Sequence, residues 1–244
     1  MHRLLVDPAR IEGDVATVDG GGLRHLSRVL RLGEGDELEV FDGAGRAWLA
    51  RIERISAEEA TLRLGTQVVR TAAPRITLAQ GLAKGEKMEL VIQKATELGA
   101  ARIVPLALSR SVVKLDASRA ADRTRRWRKI AEEAARQCGR ADVPEVDEPR
   151  TLQRFVEEAA ERGESIAVLW EEARDERLGR WLEEKAGRPL AMVVGPEGGI
   201  TPEEAEFARG RGAALVGLGA RILRTETAGI VALAIAAHRA GELG

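Results

Sequence analysis

The chain has 244 residues, 38 basic and 39 acidic side chains for a formal charge of −1, and a single cysteine. That length suits one large domain or two modest ones, and the lone Cys138 excludes an intramolecular disulfide framework and fits a reducing compartment. No apolar run reaches the ~18–20 residues of a membrane span and the opening MHRLLVDPAR lacks the apolar core of a secretory signal, so a soluble, cytoplasmic protein with no membrane partner is expected.

The first seventy residues read as short strands joined by glycine turns: RLLV, DVATV, DELEVFDGAGRAWLARIERI with DGAG as a hairpin turn, and EATLRLGTQVV. One helical patch, HLSRVLRL, lies among them, and the whole predicts a small β-barrel-like module. TAAPR (71–75) marks a boundary, after which the pattern alternates. Apolar strands are predicted at ITLAQGL, RIVPLAL, VPEV, SIAVLW, LAMVVG and ALVGLG, with helices near 84–99, 117–138, 150–162, 175–186 and 201–211 between them. Strict alternation of strand and helix implies a parallel sheet covered by helices, an α/β fold. A last helix, about Thr225 to Arg239, is apolar almost all round yet built of Ala and Gly. It must be buried while letting other backbone approach, either within the chain or against a second subunit.

Charge is unevenly spread. Residues 76–144 hold 14 basic and 8 acidic side chains, whereas 145–244 hold 13 and 19. A basic middle segment is what a polyanionic partner requires, although solvated helix faces also produce one.

Several chemistries are absent from the sequence. There is no HExxH, no CxxC and no cluster among the three histidines, so no metal site is expected. GxSxG and GxxxxGK[ST] do not occur, and the GxG fragments lack the third glycine of a dinucleotide fingerprint. What remains is a pair of glycine-rich loops. GPEGG (195–199) follows the strand LAMVVG, and Thr201, Pro202 and Glu204 then supply an N-cap, a first-turn proline and a capping box. The second loop, LGARILRTETA (218–228), follows the next strand. Loops at the carboxyl ends of parallel strands are where open α/β sheets bind ligands. Backbone groups there suit a ligand with an adenine edge and a charged tail, with Glu197, Arg224 and Glu226 the only charged side chains expected nearby.

GPEGG (195–199), LGxxILRTETA (218–228), QxLxKxxKMExxxQKxTELG (80–99), RW (126–127), EAxxQ (133–137) and HxxxVLR (25–31) together resemble the RsmE family, the 16S ribosomal RNA uridine N3-methyltransferases of the SPOUT class. The resemblance covers nearly the whole chain, with Trp48 and Cys138 as small departures away from the ligand loops. It implies a PUA-like β-barrel RNA-binding domain over 1–72 and, over 73–244, a SPOUT domain whose carboxyl-terminal part is a trefoil knot holding S-adenosylmethionine. The residues that would hold it are Leu169, Trp170, Gly195, Pro196, Glu197, Gly198, Leu218, Gly219, Ile222, Leu223, Arg224 and Thr225. The small-residue last helix would be threaded through the knot and packed in a homodimer.

The same resemblance implies methyl transfer to uridine N3 in 16S ribosomal RNA, on the small ribosomal subunit. Lys94 is the candidate general base, Glu197 the group that orients it, and Arg224 the cation that stabilises charge on the uracil oxygens. Lys94 and Arg224 as phosphate contacts, with Glu197 only capping a loop, is the alternative. RNA docking is assigned to His25, Arg28, Arg31, Lys84, Lys87, Arg110, Arg126 and Arg140. A ribose-methylating SPOUT enzyme and a non-catalytic assembly factor are the competing readings.

Overall fold

The computed structural model describes residues 2–68, 75–114 and 116–243. They form two compact units, Met1–Ala72 with Ala135–Val143 and Ala73–Ala134 with Pro144–Gly244. The boundary expected at TAAPR falls, except for Arg75, outside the described residues.

The first unit is built on β1 (Arg3–Leu5), β2 (Ile11–Glu12), β3 (Val15–Asp19), β4 (Glu37–Phe41), β5 (Ala47–Ile55) and β6 (Glu59–Val68), in the order β1-β4-β5-β6-β3-β2. All of its ladders are antiparallel except β1 with β4. Along β6 the alternate residues Ala60, Leu62 and Leu64 turn inward, as a half-buried strand requires. They meet Leu4, Leu38, Val40 and Ile52 in one core. No ladder joins β1 to β2 among the described residues.

The helical patch begins earlier than its sequence suggests. Helix α1 (Gly20–Arg24) takes in three glycines and runs on as a π-helical turn over His25–Val29. Leu23 and Leu26 are buried on either side of that junction, and their packing overrides the poor helix propensity of glycine. Arg31 then ends the segment at φ 57°, the one non-glycine residue in the left-handed region among the described residues, a conformation that costs energy and clusters at functional sites.

The second unit alternates as predicted: β7 (Ile76–Gly81), α2 (Lys87–Glu97), β8 (Arg102–Leu106), α3 (Ala117–Cys138), β9 (Glu145–Val146), α4 (Leu152–Glu161), β10 (Ser165–Leu169), α5 (Leu178–Glu184), β11 (Leu190–Val194), α6 (Pro202–Arg209), β12 (Ala214–Val216) and α7 (Thr225–Arg239). The sheet is wholly parallel in the order β12-β10-β11-β7-β8-β9. Every residue of β7, β8 and β11 is buried, which explains the unbroken apolar run of β11. On one face Phe155, Val156, Ala205 and Ala208 of α4 and α6 pack on Val104, Val168 and Val193. Strand β12 is shorter than ALVGLG implied. Gly217 turns the chain away, its amide donating to the Glu176 carbonyl at 2.9 Å, and a Cβ there would lie 2.8 Å from the Ala173 carbonyl oxygen.

At the amino ends of these strands the sheet holds an ionic cluster. Arg102, 4 % exposed, donates to Asp147 at 2.5 Å and to Glu158 at 3.1 Å. Glu164 sits nearby, accepting from the Thr77 hydroxyl at 2.6 Å, and burial pushes its carboxyl above the ordinary value of 4.5. A carboxyl raised in the folded state binds its proton more tightly there than in the unfolded chain, so stability falls as pH rises through the folded value. Glu164→Gln is therefore expected to raise the melting temperature near neutral pH and to lose that advantage below 4.5. Thermal unfolding across pH checks it, and equal stability of both proteins at neutral pH would refute it.

Candidate functional site

Three strands of the parallel sheet, β10, β11 and β12, send their carboxyl ends into one cavity of about 740 Å³ in the second unit, within the ~300–1,000 Å³ of small-molecule pockets. Its walls are the loop after β10, the GPEGG loop after β11 and the loop between β12 and α7. All twelve residues expected to hold the cofactor, from Leu169 and Trp170 through Gly195–Gly198 to Leu218–Thr225, line it. Sequence reasoning left out Glu171, Glu172, Arg174, Arg221 and Lys87, which line it too. The expectation that Glu197, Arg224 and Glu226 would be the only nearby charges is thereby corrected.

The glycines of the first loop are set by space as well as by turn geometry. A Cβ on Gly195 would lie 2.9 Å from the Gly199 carbonyl carbon, and one on Gly198 would lie 2.8 Å from Arg110 Cβ. Gly199 holds φ 74° and lies against Glu171, whose Oε1 a Cβ would meet at 2.8 Å. The loop then enters α6 through the predicted capping box, both of whose hydrogen bonds form, at 3.0 and 3.2 Å. Backbone packed this closely leaves its own N–H and C=O groups as the main recognition surface, the donor set that an adenine edge and an amino-acid tail need. The residues present thus fit S-adenosylmethionine.

A second strand end grips this loop. Gly81, the last residue of β7, abuts it so closely that a Cβ would come 2.4 Å from the Pro196 nitrogen. Three residues on, the Lys84 amide donates to Glu197 at 3.0 Å, and the Lys87 ammonium lies 3.2 Å from Glu197 and 3.4 Å from Glu226. Burial opposes ionisation of Glu197, but the Lys84 amide and Lys87 outweigh it and hold its carboxyl below the ordinary range. The Glu197 contact in turn raises the Lys87 ammonium above its ordinary value. Glu197 is thus a carboxylate and Lys87 a cation at neutral pH.

This changes the expected acid-base arrangement. Lys94 is outside the cavity lining, and its ammonium is held at 2.8 Å by Glu97, one turn along α2. Glu197 orients Lys87, not Lys94. The reason is helical register: Lys87 opens α2 beside the GPEGG loop, whereas Lys94 lies in its last turn. Arg224 does line the cavity.

The residues assigned to RNA divide between the two units. In the second, Lys84 is exposed, Arg126 pairs with Glu89 at 2.8 Å, and Arg110 donates to the Gly198 carbonyl at 3.1 Å, so that Arg110 braces the ligand loop. In the first, Arg28 is exposed on the π-helical segment, Arg31 is exposed just beyond it, and Arg140 pairs with Asp142 at 2.6 Å. His25 is half-buried, and burial, aided by the charge of Arg136, lowers its pKa. It is a neutral ring at neutral pH and offers a hydrogen bond rather than a charge.

Helix α7 carries the small residues for a visible reason. A Cβ on Gly229 would lie 2.8 Å from the Gln80 side-chain oxygen and 3.6 Å from Leu78, so the helix lies directly on β7. Its other face, with Ile230, Val231, Ala234 and Ile235, is only half-buried.

Comparison with known proteins gives the site a family. An RNA methyltransferase domain model matches residues 70–237 and an RNA methyltransferase PUA domain model matches residues 18–65. Ribosomal RNA small subunit methyltransferase E of Mycobacterium tuberculosis is 41% identical over 93% of this chain and 88% of its own, and that of Bacillus subtilis 32% identical over 93% and 91%. The crystal structure of a ribosomal RNA small subunit methyltransferase E from Neisseria gonorrhoeae, bound to S-adenosyl methionine, superposes with a TM-score of 0.84 at 31% identity, covering 98% of both chains. With both models matched in chain order and relatives of one name aligned over nearly its full length, the chain belongs to the ribosomal RNA small subunit methyltransferase E family.

Proposed function

We propose that the protein transfers a methyl group from S-adenosylmethionine to ribosomal RNA of the small subunit. The observation that carries this is that all twelve residues expected at the cofactor line one cavity, in a family with a cofactor-bound member. The finer target is N3 of a uridine in 16S ribosomal RNA, presented by the small ribosomal subunit in the cytoplasm. When bound, the cofactor supplies a methyl group activated by its sulfonium. The chain's own task is alignment for in-line displacement and stabilisation of charge. Arg224, in the cavity wall, is suited to the uracil oxygens, and the Lys87–Glu197 pair sets a fixed dipole beside them. The test is methyl transfer from tritiated cofactor to small subunits lacking the modification, followed by mass spectrometry of the nucleosides. Label in N3-methyluridine is expected; label in a ribose hydroxyl would indicate the competing chemistry, and cofactor binding without label a different RNA.

Lys94, held by Glu97 away from the cavity, is better suited to a phosphate than to taking the N3 proton. Lys94→Met should reduce the salt slope of RNA binding by about one and leave turnover at saturating RNA intact. Lost turnover at unchanged affinity would restore it as the base. Arg28, Arg31, Lys84 and Arg126 are proposed to dock RNA alongside it, and their removal should flatten the same slope further.

The domain division at 72/73, the trefoil knot and homodimerisation belong to this proposal. The half-buried apolar face of α7 supports a partner copy. Sedimentation of the wild-type protein and of Ile235→Asp checks this: a dimer that the substitution does not dissociate would place the interface elsewhere.

A further inference from the structure

Gln80 is the next-to-last residue of β7, and its side chain is wholly buried. Its Nε2 donates to the Thr225 hydroxyl oxygen at 2.8 Å, and that hydroxyl donates in turn to the Gly195 carbonyl at 2.5 Å. Thr225 closes the loop before α7, and Gly195 opens the loop after β11. One amide on a central strand thus reaches both ligand loops, which lie 145 and 115 positions away in sequence.

The other half of that amide is unused. Gln80 Oε1 is buried without a hydrogen-bond partner, facing Gly229, where a Cβ would come within 2.8 Å of it. An unsatisfied buried acceptor is a net cost to folding. An apolar side chain of similar size would fill the same space beside Leu78 without that cost. The glutamine is therefore not explained by stability, and what it does supply is direction. A threonine hydroxyl in the first turn of a helix can rotate toward several acceptors. With its lone pair occupied by the Gln80 N–H, its proton is left pointing at the Gly195 carbonyl.

We propose that Gln80 is a positioning residue of the cofactor site, acting through Thr225 to hold the two glycine-rich loops at a fixed separation. This rests on the reading of the cavity as an S-adenosylmethionine site. Gln80 does not line the cavity, so its effect is on the shape of the walls and not on a direct contact.

The test is titration calorimetry of the full-length protein with S-adenosylmethionine in the absence of RNA, with melting temperatures and steady-state constants measured in parallel. Gln80→Leu is expected to raise Kd and the cofactor KM about tenfold, the equivalent of one buried hydrogen bond. Its melting temperature should be unchanged or higher, and its kcat at saturating cofactor retained. Thr225→Val should match Gln80→Leu, and the double variant Gln80→Leu/Thr225→Val should bind no worse than either single one, because both break the same relay. If leucine lowers the melting temperature, Gln80→Glu decides: its carboxylate accepts from Thr225, turns the hydroxyl from Gly195, and should weaken binding likewise. Wild-type affinity in either folded Gln80 variant, or additive losses in the double variant, overturns the proposal. A wild-type protein that binds no S-adenosylmethionine overturns instead the reading of the cavity.

Discussion

Gly81→Ala is expected to abolish measurable cofactor binding and to lower stability by about 3 kcal/mol or more, at or above the top of the range for overpacking. The added Cβ would lie 2.4 Å from the Pro196 nitrogen, 2.7 Å from its Cδ and 2.8 Å from the Gly195 carbonyl carbon. Such a clash is relieved cheaply only when one partner is the tip of a flexible side chain. Here both are backbone. On one side β7 is clamped between β11 and β8, paired residue for residue from Leu190 to Val194 and from Arg102 to Leu106. On the other, the loop is tied back by Gly199 to Pro196 at 2.9 Å and by the capping box of α6. The loop must move, and it is the wall of the cavity. Calorimetric titration and thermal unfolding of the variant check this; wild-type affinity would mean that the loop has slack that its packing does not suggest.

The second large effect is expected far from the ligand. Arg102→Met should destabilise the protein by about 3–5 kcal/mol, the cost of leaving the buried Asp147 carboxylate without its hydrogen-bonded cation, whereas Glu158 keeps Arg154 at 2.7 Å. Asp147 is 6 % exposed and Glu158 lies at its side, both hydrogen-bonded to the one guanidinium. Arg150, 3.9 Å from Asp147 and 3.5 Å from Glu158, is too far to replace the lost hydrogen bonds. Affinity for the cofactor, measured at a temperature where the variant is folded, should be unchanged, because the cluster lies at the opposite ends of the strands. Chemical denaturation measures the first quantity, and a loss below about 1 kcal/mol, the scale of an exposed pair, would show the cluster to be solvated.

Much of this architecture is legible in the sequence because its signals are local. LAMVVG reads as a doubly covered strand and Thr201-Pro202-Glu203-Glu204 as a helix start, and both are found as read. The ligand loops follow from the same logic, since strand ends in a parallel sheet face one way. What escapes is whatever depends on side chains meeting across long separations. Lys87 and Lys94 are equally good cations on the same helix, and only the position of Glu197 across the sheet decides which one meets the cavity. Glu171 and Arg174 line the cavity through a loop with no motif of its own. The three glycines of α1 read as a turn because the leucines that hold them helical exert their pull only once the first unit has packed.

The strand order has a further consequence, for the making of the protein. Strand β7 is the first of its sheet to leave the ribosome, yet its partner β11 begins only at Leu190, and two of the loops that line the cavity follow still later. A nascent chain that has emerged as far as β10 can pair β7 with β8 but leaves the opposite edge of β7 open in what will be the middle of the sheet, an edge that invites aggregation. No cofactor can shield it, because the walls of the cavity have yet to be translated. The last third of the chain must arrive before the first strand of this sheet is safe.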